Sequence, residues 1–95
     1  MKRTLIILDI ILCSVFLASA QEIEGVVMDS DSIQIEFANI TAFANDSVIG
    51  GGITDASGIF RIKIGPDCNR LRVSFVGYDD VILTSIQRNM GKIVL

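Results

Sequence analysis

Apolar and polar side chains alternate without interruption in three short segments of this chain, Ile33–Phe37, Phe60–Ile64 and Leu71–Phe75. Alternation with a period of two residues is typical of a β-strand that buries one face and exposes the other. No segment after residue 20 shows the spacing of an amphipathic helix, and β-branched residues are abundant there. The pattern therefore predicts an all-β domain.

Clusters of turn-forming residues separate the apolar segments. Asp, Asn, Ser and Gly are frequent between them, and the single proline, Pro66, lies in one such cluster. Seven short strands at this spacing favour a seven-stranded antiparallel β-sandwich of the Ig-like or prealbumin-like type. The predicted strands are Gln21–Met28, Ile33–Ala44, Val48–Thr54, Ile59–Ile64, Arg70–Val76, Val81–Ile86 and Lys92–Leu95.

Within the second predicted strand the apolar phase changes. Ile35 and Phe37 share one phase, whereas Ala38 and Ile40 share the other. A shift of one residue moves side chains to the opposite face, so a bulge or break is expected near Phe37-Ala38. The predicted core consists of Ile23, Val27, Phe37, Ala38, Ile40, Ile53, Phe60, Ile62, Ile64, Leu71, Val73, Phe75 and Leu83.

Residues 50–60 read Gly-Gly-Gly-Ile-Thr-Asp-Ala-Ser-Gly-Ile-Phe, which raises the question of a phosphate or metal loop. The third glycine of a dinucleotide fingerprint is replaced by Asp55, and no Lys follows Gly58 as a phosphate-binding loop requires. A calcium loop that begins at Asp55 fails at its third alternate position, where Ile59 offers no side-chain oxygen. The stretch instead predicts a hairpin, in which Val48–Thr54 and Ile59–Ile64 pair across the turn Asp55–Gly58.

The first twenty residues have the three-part layout of a secretory signal peptide. A basic start is followed by an apolar run, Leu5–Ala18, and by small residues up to Ala20. The run is shorter than the about 20 apolar residues that a membrane-spanning helix needs. We therefore predict a signal peptide over residues 1–20 and one domain over residues 21–95, with a retained anchor as the alternative.

The composition of residues 21–95 argues against nucleic-acid binding and against most kinds of catalytic and metal site. These residues contain six basic and ten acidic side chains without a basic cluster, which argues against nucleic-acid binding. The chain has no histidine, which excludes Ser-His-Asp and Cys-His systems and the usual zinc sites. The pairs Asp29/Asp31 and Asp79/Asp80 lie in turns, where carboxylates support local backbone bonds. We predict no catalytic residue, no cofactor and no metal ligand, and the role of Cys68 stays open.

Five segments carry recognisable motifs in a fixed order: IEGVVMDSDS, IEFANITAF, GGGITDASGIFRI, LRVSFVGYDD and MGKIVL. In that order they resemble the carboxypeptidase regulatory-like domain, a transthyretin-like β-sandwich, over nearly all of residues 21–95. The residues that carry the resemblance form a structural signature rather than a catalytic set: Gly25, Asp29, Phe37, Ala38, Asn39, Thr54, Asp55, Gly58, Phe60, Gly77 and Tyr78.

Behind a leader of this kind, such a domain is similar to the N-terminal periplasmic extension of TonB-dependent receptors and related outer-membrane β-barrel proteins. The resemblance implies a non-enzymatic interaction module, located in the periplasm or at the periplasmic face of the outer membrane. It implies no integral membrane segment once the leader is removed. The expected partners are envelope proteins, such as an outer-membrane barrel or a TonB-system component. Since the chain stops at Leu95, we expect either a truncated receptor or a free-standing module.

Two other functions are weaker interpretations of the same sequence. A carbohydrate- or small-ligand-binding module usually needs exposed aromatic side chains. The chain has no Trp and one Tyr, Tyr78, and the phenylalanines lie mostly on predicted core faces. A small enzyme is disfavoured by the missing histidine and by the turn positions of the paired carboxylates.

Overall fold

A computed structural model describes residues 21–95, and the predicted signal peptide lies outside these described residues. Residues 21–95 form seven strands and no helix, which confirms the all-β prediction. The sixth strand ends before the predicted Ile86, and the seventh begins before the predicted Lys92. The strands are β1 (Gln21–Met28), β2 (Asn39–Ala44), β3 (Ser47–Ile53), β4 (Ile59–Ile64), β5 (Arg70–Ser74), β6 (Val81–Leu83) and β7 (Asn89–Val94). None of these residues forms a helix of the length and apolarity needed to cross a bilayer.

The strands form two sheets, of order β4-β1-β7 and β3-β2-β5-β6, with the core between them. Four of the five strand pairs are antiparallel, as predicted for the sandwich. The fifth, β1 with β7, is parallel, so the fully antiparallel arrangement is wrong at this pair. The two strands are far apart in sequence, so neither the alternation nor the turns could reveal their relative direction.

The second predicted strand is split where the apolar phase changes. β2 begins only at Asn39, and Phe37 has the left-handed backbone conformation, with φ of 65°. The expected break near Phe37-Ala38 is therefore confirmed. The preceding segment is not a strand of its own, because it contributes only one bridge, between Gln34 and Met28.

Most of the predicted core is buried, but two members are not. Phe37 is 61% exposed and Ile53 is 57% exposed, so their assignment to the core is wrong. Phe75 and Leu83 are partly buried and pack against the core. The buried apolar residues that the prediction missed are Met28, Ile35, Ala42, Phe43 and Ile93. Phe43 is covered by the guanidinium groups of Arg70 and Arg72, which lie 4.3 and 5.3 Å from its ring centroid.

The glycines of β3 allow the two sheets to approach each other. A Cβ on Gly52 would lie 2.9 Å from Ile62 Cγ2, and one on Gly50 would lie 3.5 Å from Ile64 Cγ2. Gly50 and Gly52 thus face β4, and the alternation directs Ile53 to the outside. A close approach of this kind is one of the uses of glycine in a strand.

The predicted hairpin between β3 and β4 is wrong, because the two strands belong to different sheets. β3 pairs with β2, and β4 pairs with β1. The segment Thr54–Gly58 therefore carries the chain from one sheet across the core to the other. The turn residues were identified correctly, but the strands that they join do not pair with each other.

Gly25 and Phe60 form a cross-strand pair at the centre of the smaller sheet. They are opposite each other in the β1–β4 register, and Phe60 is 1% exposed. A Cβ on Gly25 would lie 2.8 Å from Phe60 Cε1 and Cζ, so the ring occupies the space that a side chain at residue 25 would need. The pair explains why these two signature residues occur together, and its role is packing.

Candidate functional site

Three loops meet at one end of the sandwich. β1 ends at Met28 where β4 begins, and Asn39 at the start of β2 faces Ser74 at the end of β5. β7 finishes at the same end, since Leu95 N–H donates to Met28 O. We call this region the loop end and define it as residues 29–38, 53–58, 75–80 and 94–95. Most of the signature residues lie in it or at its border.

Thr54 holds two of these loops together from inside. It is 1% exposed and is the one polar side chain buried in residues 21–95. Its Oγ1 donates to Ile35 O at 2.6 Å and accepts from Ala38 N–H at 2.9 Å. Its backbone O accepts from Phe37 N–H at 3.1 Å, and its N–H donates to Ala38 O at 3.1 Å. The hydroxyl, N–H and C=O groups of Thr54 are therefore all hydrogen-bonded within the domain. We conclude that Thr54 fixes the shape of the loop end.

The carboxylates of Asp29 and Asp55 each organise a tight loop. Asp29 Oδ1 accepts from Asp31 N–H at 2.9 Å and from Ile33 N–H at 3.0 Å. Asp55 Oδ1 accepts from the residues two and four positions later at the same two distances. Backbone N–H groups thus occupy one oxygen of each carboxylate, which is the ordinary structural use of Asp in a turn.

Gly58 lies at a crowded position of the second loop. Its φ is 75°, and a Cβ there would lie 2.6 Å from Val27 O and 3.1 Å from Gln34 Cβ. Both the backbone conformation and the space therefore require glycine. Gly77, in the third loop, also has a left-handed φ of 91° but has open space around its Cα.

The loop end exposes apolar side chains. Of the nine large apolar side chains that are exposed in residues 21–95, six lie there: Ile33, Phe37, Ile53, Val76, Tyr78 and Val94. The loop end contains about a third of the described residues and two thirds of these side chains. The Tyr78 ring lies 6.2 Å from the ring of Phe75, which itself packs against the core.

The charges of the loop end have one sign. Its three loops contain six carboxylates and no lysine or arginine: Asp29, Asp31, Glu36, Asp55, Asp79 and Asp80. The turns at the opposite end, residues 45–46, 65–69 and 84–88, contain two carboxylates and one arginine. None of the nine exposed large apolar side chains lies in those turns. The two ends of the sandwich therefore differ in both charge and apolar exposure.

The structure brings eight signature residues into the loop end: Asp29, Phe37, Ala38, Thr54, Asp55, Gly58, Gly77 and Tyr78. Asn39 follows directly as the first residue of β2, and Gly25 and Phe60 lie within the smaller sheet. Sequence reasoning missed that Ile33, Ile53 and Val76 are exposed at the same end. The phase change at Phe37-Ala38 was the one sequence signal that the segment containing Ile33 does not continue into β2. For Ile53, only the pairing of strands identifies the exposed face of β3.

Two shallow surface depressions lie elsewhere, along β1 and β7. One, of about 460 Å³, is lined by Glu22, Glu24, Arg88 and Asn89, and the other, of about 230 Å³, also contacts Arg61. Arg61 Nε lies 3.2 Å from Glu24 Oε2 in an exposed ion pair. Neither depression contacts the exposed aromatic rings of the loop end.

Metal-ligating groups do not converge within the part of the chain that the structure describes. In residues 21–95 no three His, Cys, Asp or Glu side chains are placed to hold one ion. Cys68, at the opposite end, is a partly buried free thiol whose Sγ lies 3.6 Å from Arg70 O.

Comparison with solved structures supports the fold. The chain is similar to part of a 9R-lipoxygenase from Cyanothece PCC8801, with a TM-score of 0.61 and 15% identity. The alignment covers 82% of this chain but only 17% of the lipoxygenase, so this chain spans a small fraction of that protein. At this identity the likeness concerns the fold alone. No curated protein sequence matches the chain.

The sequence profile of the carboxypeptidase regulatory-like domain matches residues 22–94, which include all seven strands almost completely. The match contains the Gly25–Phe60 pair, the buried Thr54 and the Asp55–Gly58 turn, whose structural roles are described above. The chain therefore belongs to the carboxypeptidase regulatory-like domain family.

Proposed function

We propose that residues 21–95 form a non-enzymatic interaction module of the bacterial cell envelope, of the kind that forms the N-terminal extension of TonB-dependent outer-membrane receptors. The observation that carries the proposal is the family match over residues 22–94, placed directly behind a leader-like sequence. The signature residues of the family act here in turns and packing, as Thr54 and Asp55 show. A module whose distinctive residues are structural acts through its surface.

The proposed location is the periplasm or the periplasmic face of the outer membrane. Production of the tagged chain in a bacterial host with an outer membrane, followed by fractionation and N-terminal sequencing, tests this directly. We expect the envelope fraction to contain a protein that begins at Gln21. An uncleaved chain in the cytoplasm would overturn the proposed export.

The proposed partners are an outer-membrane barrel or a component of the TonB system. The reading frame that follows the codon of Leu95 provides the simplest test. A plug and barrel sequence in that frame supports a receptor extension. If the gene instead ends there beside unrelated neighbours, the association with a receptor is lost, and only the more general role of interaction module stands.

The described depressions do not favour carbohydrate binding as a second function, although Phe37 does not lie on a core face as predicted. Phe37 is exposed rather than buried, so Phe37 and Tyr78 are both accessible at the loop end. Sugar sites combine such rings with a concave surface. The two depressions described above lie along β1 and β7 and contact neither ring.

A further inference from the structure

We propose that the loop end is the docking surface of this domain, and that its partner is a protein segment that carries lysine or arginine beside apolar side chains. The inference rests on the proposed function, because it identifies the surface through which the interaction module would act. Three features support it: exposed apolar side chains, the strained backbone conformation of one of them, Phe37, and charges of a single sign.

The apolar side chains are concentrated rather than scattered. Single exposed apolar residues are normal on a soluble domain, whereas contiguous groups mark interaction surfaces. At the loop end Val76 is 91% exposed, Ile33 62% and Phe37 61%. The strand pairing gives these residues a common location, because Asn39 is paired with Ile53 on one side and with Ser74 on the other. The hydrogen bond from Thr54 Oγ1 to Ile35 O joins the loop that contains Ile33 to the same end.

Phe37 provides the second feature. Its φ of 65° lies in the left-handed region, which costs a non-glycine residue about 1–2 kcal/mol. Hydrogen bonds from Phe37 N–H to Thr54 O and from Ala38 N–H to Thr54 Oγ1 hold this conformation. The conformation leaves the ring exposed, so packing within the domain does not offset the cost. A partner that covers the Phe37 ring would supply the packing that offsets this cost.

The charges define the chemistry of the partner. Asp31, Glu36, Asp79 and Asp80 are exposed and make no side-chain hydrogen bond or ion pair within residues 21–95. A surface of this kind attracts cationic groups and repels nucleic acid and anionic lipid headgroups. The apolar side chains between the carboxylates favour a segment that also has apolar residues. A basic, partly apolar protein segment satisfies both requirements.

The proposal is tested with the exported protein and two synthetic peptides. One probe is a dye-labelled twelve-residue peptide in which lysine and valine alternate, and the other has glutamate in place of lysine. Fluorescence anisotropy is measured at low and high salt. We expect the lysine peptide to bind and the glutamate peptide not to bind. Because screening weakens exposed charge pairs, we expect the affinity for the lysine peptide to fall at least about fivefold at high salt.

Variants then locate the binding surface. The triple variant Glu36→Gln, Asp79→Asn, Asp80→Asn removes three unpaired charges and should weaken binding by about tenfold, since each exposed charge contributes a modest amount. Phe37→Asn should weaken it by a similar factor. Asn tolerates a left-handed backbone, so this change removes the ring without disturbing the loop. Circular dichroism of each variant confirms that the fold is retained.

A control variant removes carboxylates and an exposed apolar side chain elsewhere on the domain. Asp46→Asn, Asp67→Asn and Ile82→Ser remove two carboxylates at the opposite end and an exposed apolar side chain on the outer face of β6. This variant should bind the lysine peptide within about twofold of the wild type, because charges at that distance are largely screened.

Several outcomes would overturn the proposal: binding of neither peptide, equal binding of both, or an equal loss in the control variant. Concentration-dependent self-association that the loop-end variants abolish would assign the surface to a second copy of the chain and also overturn it. Photo-crosslinking in the envelope separates this inference from the proposed function. Crosslinks from residue 67 without any from residue 76 would contradict the docking surface but support an interaction module.

Discussion

The loop from Asp29 to Ile33 and the loop from Asp55 to Ile59 are closed by matching hydrogen bonds. In each, the aspartate N–H donates to the carbonyl of the isoleucine four positions later, at 2.9 Å, and the aspartate O accepts from the fourth residue of the loop. That fourth residue has a left-handed φ, 64° at Ser32 and 75° at Gly58. The two loops are therefore copies of one turn with different sequences.

The copies differ in what they connect. The first turns the chain back along β1, where Gln34 bridges Met28 and Ile35 N–H donates to Val27 O. The second carries the chain from β3 in one sheet to β4 in the other. A turn determines the local direction of the chain but not which sheet receives it, and for this reason the turn was predicted correctly and the hairpin was not.

The copies also differ in their surroundings. Ser32 is exposed, whereas Gly58 directly precedes β4, at the point where residues 34–35 replace β4 as the neighbour of β1. A side chain is therefore accommodated at the first position and would overlap Val27 O at the second. Four predictions test this comparison, from the largest expected effect to the smallest.

Gly58→Val is expected to have the largest effect. The left-handed conformation and the overlap with Val27 O should together lower the free energy of unfolding by about 2–5 kcal/mol. Urea unfolding of the exported protein measures the change. Ser32→Ala, at the matching position of the first loop, is the control and should change stability by less than about 0.5 kcal/mol. Equal losses at the two positions would contradict the difference in crowding.

Thr54→Val is expected to rank second. It leaves Ala38 N–H and Ile35 O without their side-chain partner in a buried site, which should cost about 2–4 kcal/mol. Thr54→Ser keeps the hydroxyl and should cost less than about 1.5 kcal/mol. Thermal unfolding of both variants measures the difference. If valine and serine destabilise the domain equally, the hydrogen bonds of Thr54 are not what holds the two loops.

Asp29→Ala and Asp55→Ala should have intermediate and similar effects. Each removes a carboxylate that accepts from two backbone N–H groups in an exposed loop, and each should cost about 1–2 kcal/mol. Chemical denaturation of the two variants measures this equality. The asparagine variants, which retain an acceptor oxygen, serve as controls and should be closer to the wild type. A large difference between the two alanine variants would show that the loops are not energetically equivalent.

Ser32→Gly should have the smallest effect, and it should be stabilising. Glycine relieves the left-handed strain of about 1–2 kcal/mol at this exposed position but increases the entropy of the unfolded chain, so a net gain of about 0.5 kcal/mol is expected. The midpoint of thermal unfolding should rise slightly. A decrease would show that the Ser32 side chain contributes a contact that outweighs its backbone strain.

The sequence by itself determined the strands, the turns and most of the core, because these depend on neighbouring residues. Alternation at Phe60–Ile64 and Leu71–Phe75 directly reports a buried face, and Asp55 with Gly58 reports a turn through local hydrogen bonds and backbone conformation. The phase change at Phe37-Ala38 even revealed the break before β2. The family resemblance came from the same local motifs.

The tertiary structure decided which strands pair and what the surface presents. The parallel β1–β7 pair and the passage from β3 to β4 between sheets depend on contacts between distant residues. Those pairings direct Ile53 outward and gather three acidic loops with exposed Phe37 and Val76 at one end. No local sequence pattern specifies that these loops lie together, because burial and proximity are properties of the assembled sheets.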